Sequence, residues 1–174
     1  FSIYFMKNKT KIAVVGMGLM GSQHLKAIKL SKKATLHSIV DINKSSCFQA
    51  QKFNVPFYKN YQALLKNNKP DAVIVAKTNQ FHEKHTSEFL KSKIPVLLEK
   101  PISDNIKSAE KIIKNSKKNN TQLLIGYHRR YNNIASVLKK KINAGKLGKI
   151  VSVNVMCWLY KHKNYYKEKW RTIK

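Results

Sequence analysis

The chain has 174 residues, enough for one buried domain and part of a second, and carries a formal net charge of +27. Its two cysteines, Cys47 and Cys157, stand far apart without Cys-x-x-Cys or clustered Cys/His spacing, which argues against a disulfide framework and against a metal site. No apolar run approaches the roughly 20 residues that span a bilayer, and no signal-peptide core follows the first lysines, so we predict a cytoplasmic protein without a membrane segment.

The positive charge does not by itself indicate a nucleic-acid partner. Of the 35 basic residues only three are arginine, and the lysines are spread along every segment. Proteins that read nucleic acids usually combine arginine with interleaved aromatic residues. We therefore expect no specific nucleic-acid partner, and a basic polyanion-binding protein remains an alternative hypothesis.

Apolar runs alternate with segments of helical spacing along residues 6–126, whereas residues 1–5 precede Met6 and are interpreted as a non-native extension. This alternation predicts an α/β fold, a Rossmann-type doubly wound parallel sheet covered by helices on both faces. The predicted strands are residues 11–15, 35–40, 55–57, 72–76, 95–98 and 122–126. The predicted crossover helices are residues 20–31, 44–53, 61–67, 82–92 and 104–117.

The helix predicted at 104–117 has apolar residues at helical spacing, among them Ile106 and Ile112, and the pair Ser103-Asp104 offers a side chain to cap its start. After residue 126 the pattern changes. A helix is predicted at 132–144, followed by an alternating strand over Ile150–Val155. Residues 127–174 are therefore interpreted as the start of an incomplete second α/β domain.

A glycine-rich turn joins the first predicted strand to the first helix. Gly16, Gly18 and Gly21 have the spacing of a dinucleotide-binding turn, in which the first glycine permits a tight turn and the second lets the backbone approach a diphosphate. The third lets the helix pack closely, and the helix N-terminus, including Leu19 and Met20, presents free N–H groups to the phosphates.

Asp41 stands at the end of the second predicted strand, 20 residues after Gly21. A carboxylate at this place accepts hydrogen bonds from the hydroxyl groups of the adenosine ribose. The sequence therefore predicts NAD as the cofactor, with NADP not excluded. An unoccupied turn in another α/β protein is the alternative.

Several further motifs resemble the glucose-fructose oxidoreductase, inositol dehydrogenase and MocA-like family (Gfo/Idh/MocA). The resemblance runs from Met6 to the last residue, and Glu99-Lys100-Pro101 after a buried strand is its most specific mark. The other matching segments are Asp71–Ala76, Thr78–His82, Gly126–Asn132, Gly145–Ile150 and Trp170-Arg171.

This resemblance implies an NAD(P)-dependent oxidoreductase that transfers hydride with a sugar, polyol or related hydroxy compound. Lys100 matches the family's catalytic lysine, which lies beside the nicotinamide and the reacting hydroxyl. A lysine there can stabilise the alkoxide that develops as hydride leaves. One solvated lysine among many is the alternative, and the flanking Glu99 and Pro101 favour the catalytic interpretation.

The resemblance also implies cofactor contacts from the loop after the fourth long strand, through Thr78, Asn79 and His82, and from Glu99 and Lys100. Thr78 occupies the place of the family's usual proline, and His82 could instead simply open its helix. The family resemblance also implies substrate contacts at four positions, which are Arg129, Arg130, Trp170 and Arg171.

Family members have roughly twice this length, and their second half carries most of the sugar pocket, a general-base histidine and a sheet through which they form homo-oligomers. We infer that the chain is a fragment, from a truncated frame, a decayed gene or a partial record, with little or no turnover. A non-catalytic nucleotide-binding module is the second functional hypothesis.

Overall fold

The computed structural model describes residues 9–167, and within them six parallel strands form one sheet in the order β3-β2-β1-β4-β5-β6. Each strand overlaps one of the predicted apolar runs, which confirms the predicted Rossmann-type sheet. The strands are β1 (Thr10–Val15), β2 (Ala34–Val40), β3 (Phe57–Tyr58), β4 (Ala72–Val75), β5 (Val96–Leu98) and β6 (Leu123–Ile125).

One α-helix connects each strand to the next, as parallel strands require, and a further helix follows β6. No helix within residues 9–167 combines the length and the apolar character needed to cross a bilayer. The helices are α1 (Leu19–Leu30), α2 (Ser46–Lys52), α3 (Tyr61–Asn67), α4 (His82–Lys91), α5 (Ile106–Lys118) and α6 (Asn133–Asn143).

The sheet is covered on both faces, as the continuous apolar runs predict. Ala13 and Val15 of β1 pack in one core cluster with Phe89 of α4 and Ile112 of α5. Val14, between them, points to the other face and packs in a second cluster that includes Ile28 of α1. The alternation along a single strand therefore anchors helices on both sides.

The strand order reverses at β1, which lies between β2 and β4. The connections on its two sides leave the sheet in opposite directions, so a crevice opens beyond the carboxyl ends of β1 and β4. The glycine turn follows β1, and the Lys77–Thr78 loop follows β4, so both lie at this crevice.

The start of α5 corrects one prediction. Its cap is Asn105, whose side-chain oxygen accepts a hydrogen bond from the Ser108 N–H at 2.9 Å, and not the pair Ser103-Asp104. The Asp104 carboxylate makes other hydrogen bonds, because its Oδ1 accepts from the Ser103 hydroxyl at 2.9 Å and from the Asn105 side-chain amide at 2.8 Å.

The chain divides between Gly126 and Tyr127 into two compact units. The described part of the second unit contains α6 and two short 3₁₀ helices, and residues 150–162 form neither helix nor strand. The predicted strand over Ile150–Val155 is therefore wrong. A strand needs a neighbour to pair with its N–H and C=O groups, and the described residues of this unit offer none.

Candidate functional site

The turn between β1 and α1 requires glycine at two positions. Gly16 has a φ of +97°, which side chains rarely adopt, and a Cβ there would lie 2.7 Å from the carbonyl oxygen of Ala76 after β4. A Cβ on Gly21 would overlap the carbonyl oxygen of Gly16, because α1 passes directly over the turn. The close approach predicted at Gly21 is thus made to the turn itself.

Gly18 differs from the other two, because its Cα faces open space. A Cβ there would have no heavy atom within 4 Å, and Gly18 is the N-cap of α1. No side chain in the described range caps this helix, and its first turn holds no acidic residue. The backbone N–H groups at the start of α1, near Leu19 and Met20, form a positive helix end that attracts an anion such as a diphosphate.

Asp41 is held beside the glycine turn by backbone hydrogen bonds. Its Oδ2 accepts from the Met17 N–H at 2.5 Å, and its Oδ1 accepts from the Asn43 N–H at 2.8 Å. The residue is only 8% exposed. A carboxylate has about four lone-pair sites, so these two bonds leave acceptor capacity for a ribose hydroxyl.

A cavity of about 510 Å³ lies at this end of the sheet, with walls from three segments of the first unit. They are the turn after β1, the residues after β2 and the loop after β4. The lining residues are Gly16, Met17, Gly18, Asp41, Ile42, Asn43, Ser45, Ser46, Gln49, Ala76, Lys77, Thr78 and Phe81.

An aromatic stack supports the wall that Phe81 provides. The Phe81 ring is stacked on the His85 ring at 6.1 Å between centroids, and His85 packs against Tyr61 at 5.0 Å. Burial is the largest cause that lowers the pKa of His85 to about 4, and the neighbouring charge of Lys77 acts in the same direction. His85 is therefore a neutral aromatic support near pH 7.

The loop after β4 places its three predicted residues differently. Thr78 lines the cavity, whereas Asn79 belongs to a short 3₁₀ helix and is not among the lining residues. His82 opens α4 and is fully buried, with one ring nitrogen 2.9 Å from the Pro101 carbonyl oxygen and the other 2.9 Å from that of Lys77. His82 thereby joins the loop after β4 to the loop after β5.

Glu99 and Lys100 follow β5, two strands away from the glycine turn, and neither lines the cavity. The Glu99 side chain is buried, and its Oε1 lies 2.7 Å from His24 Nε2 on α1. Lys100 is exposed, and its N–H donates to Glu99 Oε2 at 3.3 Å. The carboxylate therefore anchors the backbone that carries the exposed lysine.

The predicted substrate residues belong to the second unit. Arg129 and Arg130 lie in the 3₁₀ helix His128–Tyr131, and both are exposed. Trp170 and Arg171 lie outside the described residues. The substrate roles of all four stay predictions.

Sequence reasoning missed three side chains that shape the site: His24, Lys77 and Phe81. His24 carries a signal in retrospect, because it stands one helical turn after Gly21 and thus on the face that packs toward the sheet. Lys77 and Phe81 flank the predicted Thr78 in the same loop. Their positions depend on how that loop packs, which local spacing does not encode.

The parallel sheet, the uncapped helix after a glycine turn and the buried carboxylate after β2 together define an NAD-binding Rossmann domain. Residues 10–127 match the family described as "Oxidoreductase family, NAD-binding Rossmann fold" (Gfo/Idh/MocA). This match covers more than half of the chain, and the protein belongs to that family.

Similar proteins include inositol dehydrogenases. The chain is 29% identical to the myo-inositol 2-dehydrogenase of Thermotoga maritima over 80% of this chain and 42% of that protein. It is 27% identical to the inositol 2-dehydrogenase of Arthrobacter sp. over 91% and 47%. The scyllo-inositol dehydrogenase of Lactobacillus casei, solved with NAD(H) and scyllo-inositol, shares the fold at a TM-score of 0.77 and 23% identity, over 81% of this chain and 43% of that one. The chain thus spans less than half the length of these relatives.

Proposed function

We propose that the cavity beside the glycine turn binds NAD, with the diphosphate at the start of α1 and the adenosine ribose at Asp41. The observation that carries this proposal is that the glycine turn, Asp41 and Thr78 line a single cavity of about 510 Å³. The open space at Gly18 fits a diphosphate, and the free acceptor capacity of Asp41 fits a ribose hydroxyl.

The order of the strands supports a direction for the cofactor. Asp41 follows β2 on one side of β1, whereas Lys100 follows β5 on the other side, beyond β4. A dinucleotide with its ribose at Asp41 and its diphosphate at Gly18 would extend across the ends of β1 and β4. Its nicotinamide end would then approach the loop of Lys100.

We propose that the protein to which this chain belongs oxidises a hydroxyl group of a sugar or polyol. NAD supplies the hydride acceptor when it is bound. Lys100, exposed after β5, donates a hydrogen bond to the reacting oxygen and stabilises the negative charge that develops there. The hydroxyl proton would pass to the general-base histidine that the family resemblance implies in the second half of the whole protein. Glu99 holds the Lys100 backbone through the N–H bond at 3.3 Å and is itself fixed by His24.

Two further proposals, on the second domain and on the substrate contacts, rest on the family resemblance. Residues 127–174 would begin a substrate domain, whose remaining sheet would join copies of the whole protein into a homo-oligomer in the cytoplasm. Arg129, Arg130, Trp170 and Arg171 would contact substrate from that domain.

A fluorescence titration with NADH tests the binding proposal through Gly18. Asp is a good N-cap, so Gly18→Asp keeps α1 intact while it places a negative charge where the diphosphate would lie. We expect the dissociation constant for NADH to rise at least about tenfold. Gly18→Asn, a neutral cap of the same shape, is the matched control and should weaken binding less. No saturable signal in the unaltered chain, or equal affinities in all three proteins, would contradict the proposal.

NADH formation from NAD⁺ with a panel of inositols and sugars tests the oxidoreductase proposal. Any polyol-dependent rate should be lost in Lys100→Met, whereas NADH affinity should change less than about threefold, because Lys100 acts on the hydroxyl. Lys26→Met on α1 removes an exposed lysine elsewhere and serves as the control. Binding of NADH without oxidation of any compound would favour a non-catalytic nucleotide-binding module instead.

A further inference from the structure

Lys77 places a positive charge beside the carboxylate at the ribose end of the cavity. Its Nζ lies 4.0 Å from Asp41 Oδ1, and both residues line the same cavity. The Lys77 side chain is only 14% exposed, whereas that of Lys91 on α4 is 55% exposed. Lys77 is therefore a partly buried lysine directed into the cavity, unlike the many solvated lysines of this chain.

The stem and the backbone of Lys77 each contact a neighbouring part of the first unit. The Cδ of Lys77 lies 3.1 Å from the place where a Cβ on Gly16 would stand, so the stem packs closely against the glycine turn. The Lys77 carbonyl oxygen lies 2.9 Å from a ring nitrogen of the buried His82, which holds the backbone. Lys77, with its positive charge, is thus part of the wall of the cavity.

The two charges have opposite effects on a phosphate at the 2′ position of the ribose. The Asp41 carboxylate alone would repel such a group, which is how a carboxylate at this place favours NAD. The Lys77 ammonium offsets that repulsion by attracting the phosphate. In a partly buried cavity, water and salt screen this attraction less than they would in bulk solution. Ser45 and Ser46, which line the same cavity, add hydroxyl groups that can donate to phosphate oxygens.

We propose that Lys77 is a specificity-determining residue that makes this cavity accept NADP as well as NAD. The proposal rests on the proposed function, because it assumes that the ribose lies at Asp41. It differs from the expectation drawn from Asp41 alone, since it assigns the preference between the two cofactors to a pair of residues from two different loops.

Titrations of the full chain with NADH and with NADPH test the proposal through the ratio of the two dissociation constants. In the unaltered chain we expect NADPH to bind no more than about tenfold more weakly than NADH, and in Lys77→Met we expect this ratio to rise by about tenfold or more. The ratio is the readout because a general weakening of binding cancels in it. Lys77→Arg, which keeps the charge, should hold the ratio within about threefold of the unaltered chain.

Asp41→Asn provides a second variant that leaves Lys77 in place. Without the opposing carboxylate, the ammonium should make NADPH the tighter ligand, which requires a cation close to the 2′ position. Lys26→Met is the control for removing a charge, because Lys26 lines a neighbouring groove and not this cavity, and it should leave the ratio unchanged.

Two results would overturn the inference while the proposed function stands. The first is NADH binding with a ratio that stays the same in Lys77→Met, and the second is a ratio that changes equally in Lys26→Met. Absence of saturable binding by either dinucleotide would instead overturn the proposed function, and the inference with it.

Discussion

The two units of this chain contain apolar segments of similar character that adopt different structures. Val14 and Val73 in the first unit are completely buried in adjacent parallel strands. In the second unit, Val151 is 90% exposed and Trp158 is 89% exposed, in a stretch without helix or strand. An apolar run therefore becomes a buried strand only where a neighbouring strand completes its hydrogen bonds.

This contrast locates the stability of the described chain. The apolar surface removed from water lies in the sheet and in the helices of residues 10–126, whereas every described residue from 127 to 167 is exposed. Hydrophobic burial is the main favourable contribution to the free energy of folding. Substitutions in the two units should thus differ most where they remove the largest side chains.

Phe89→Ala and Trp158→Ala test this contrast with the largest expected effect. Phe89 is completely buried and packs edge-on against Tyr61, so its truncation should lower the free energy of unfolding by about 3–5 kcal/mol. Trp158 is 89% exposed, and its truncation should change that free energy by less than about 0.5 kcal/mol. Urea denaturation followed by circular dichroism measures both. Comparable losses in the two variants would show that the contrast is wrong.

Gly21→Ala sharpens the comparison at the site itself. The added Cβ would overlap the Gly16 carbonyl oxygen, so α1 must shift, and we expect a loss of about 2–3 kcal/mol in thermal or urea unfolding. Gly18→Ala is the matched control, because its Cβ would meet no atom within 4 Å. Equal stabilities of the two variants would contradict the close packing of α1 on the turn.

The sequence predicted the fold of the first unit well, because the hydrophobic periodicity and the turn-forming residues there indicate the same element boundaries. Six apolar runs separated by helical segments leave few alternatives to a parallel sheet, and the glycine turn indicates which end binds a ligand. The strand predicted over Ile150–Val155 failed because strand formation depends on neighbours that a local pattern does not specify.

The candidate site was predictable only in part, for the same reason. Gly16, Gly18 and Asp41 carry their roles in their spacing, and the structure brings them to one cavity. The His24–Glu99 pair joins residues 75 positions apart, and the Lys77–Asp41 pair joins two separate loops. Such pairs arise from the packing of α1 and of the sheet, so they became visible only with the fold.

Acidification should affect the first unit through the buried ring of His85. Because its pKa is about 4 in the folded chain and about 6.5 in the unfolded chain, the unfolded state binds more protons between these values. The stabilising contribution is therefore complete above pH 6.5 and is lost as the pH falls toward 4. The ring is partly exposed, so we expect a loss of only about 1–2 kcal/mol.

Urea unfolding of the unaltered chain and of His85→Gln at several pH values measures this contribution. The variant should show a shallower fall in stability across the window, since it lacks the titrating ring. Burial also lowers the pKa of His37, so some pH dependence should persist in the variant. Identical slopes in the two proteins would contradict the burial of His85.

The smallest expected effects compare the same helix cap in the two units. Asn105 accepts from the Ser108 N–H at 2.9 Å at the start of α5, and Asn132 accepts from the Ile134 N–H at 2.8 Å at the start of α6. Either change to Ala removes about 1 kcal/mol of helix stabilisation.

Asn105→Ala should lower the free energy of unfolding of the first unit by that amount, because α5 carries the buried Ile112. Asn132→Ala should leave that free energy unchanged and instead speed amide hydrogen exchange in α6, whose side chains are all exposed. A loss of global stability in Asn132→Ala equal to that in Asn105→Ala would mean that the second unit also contributes a cooperative core.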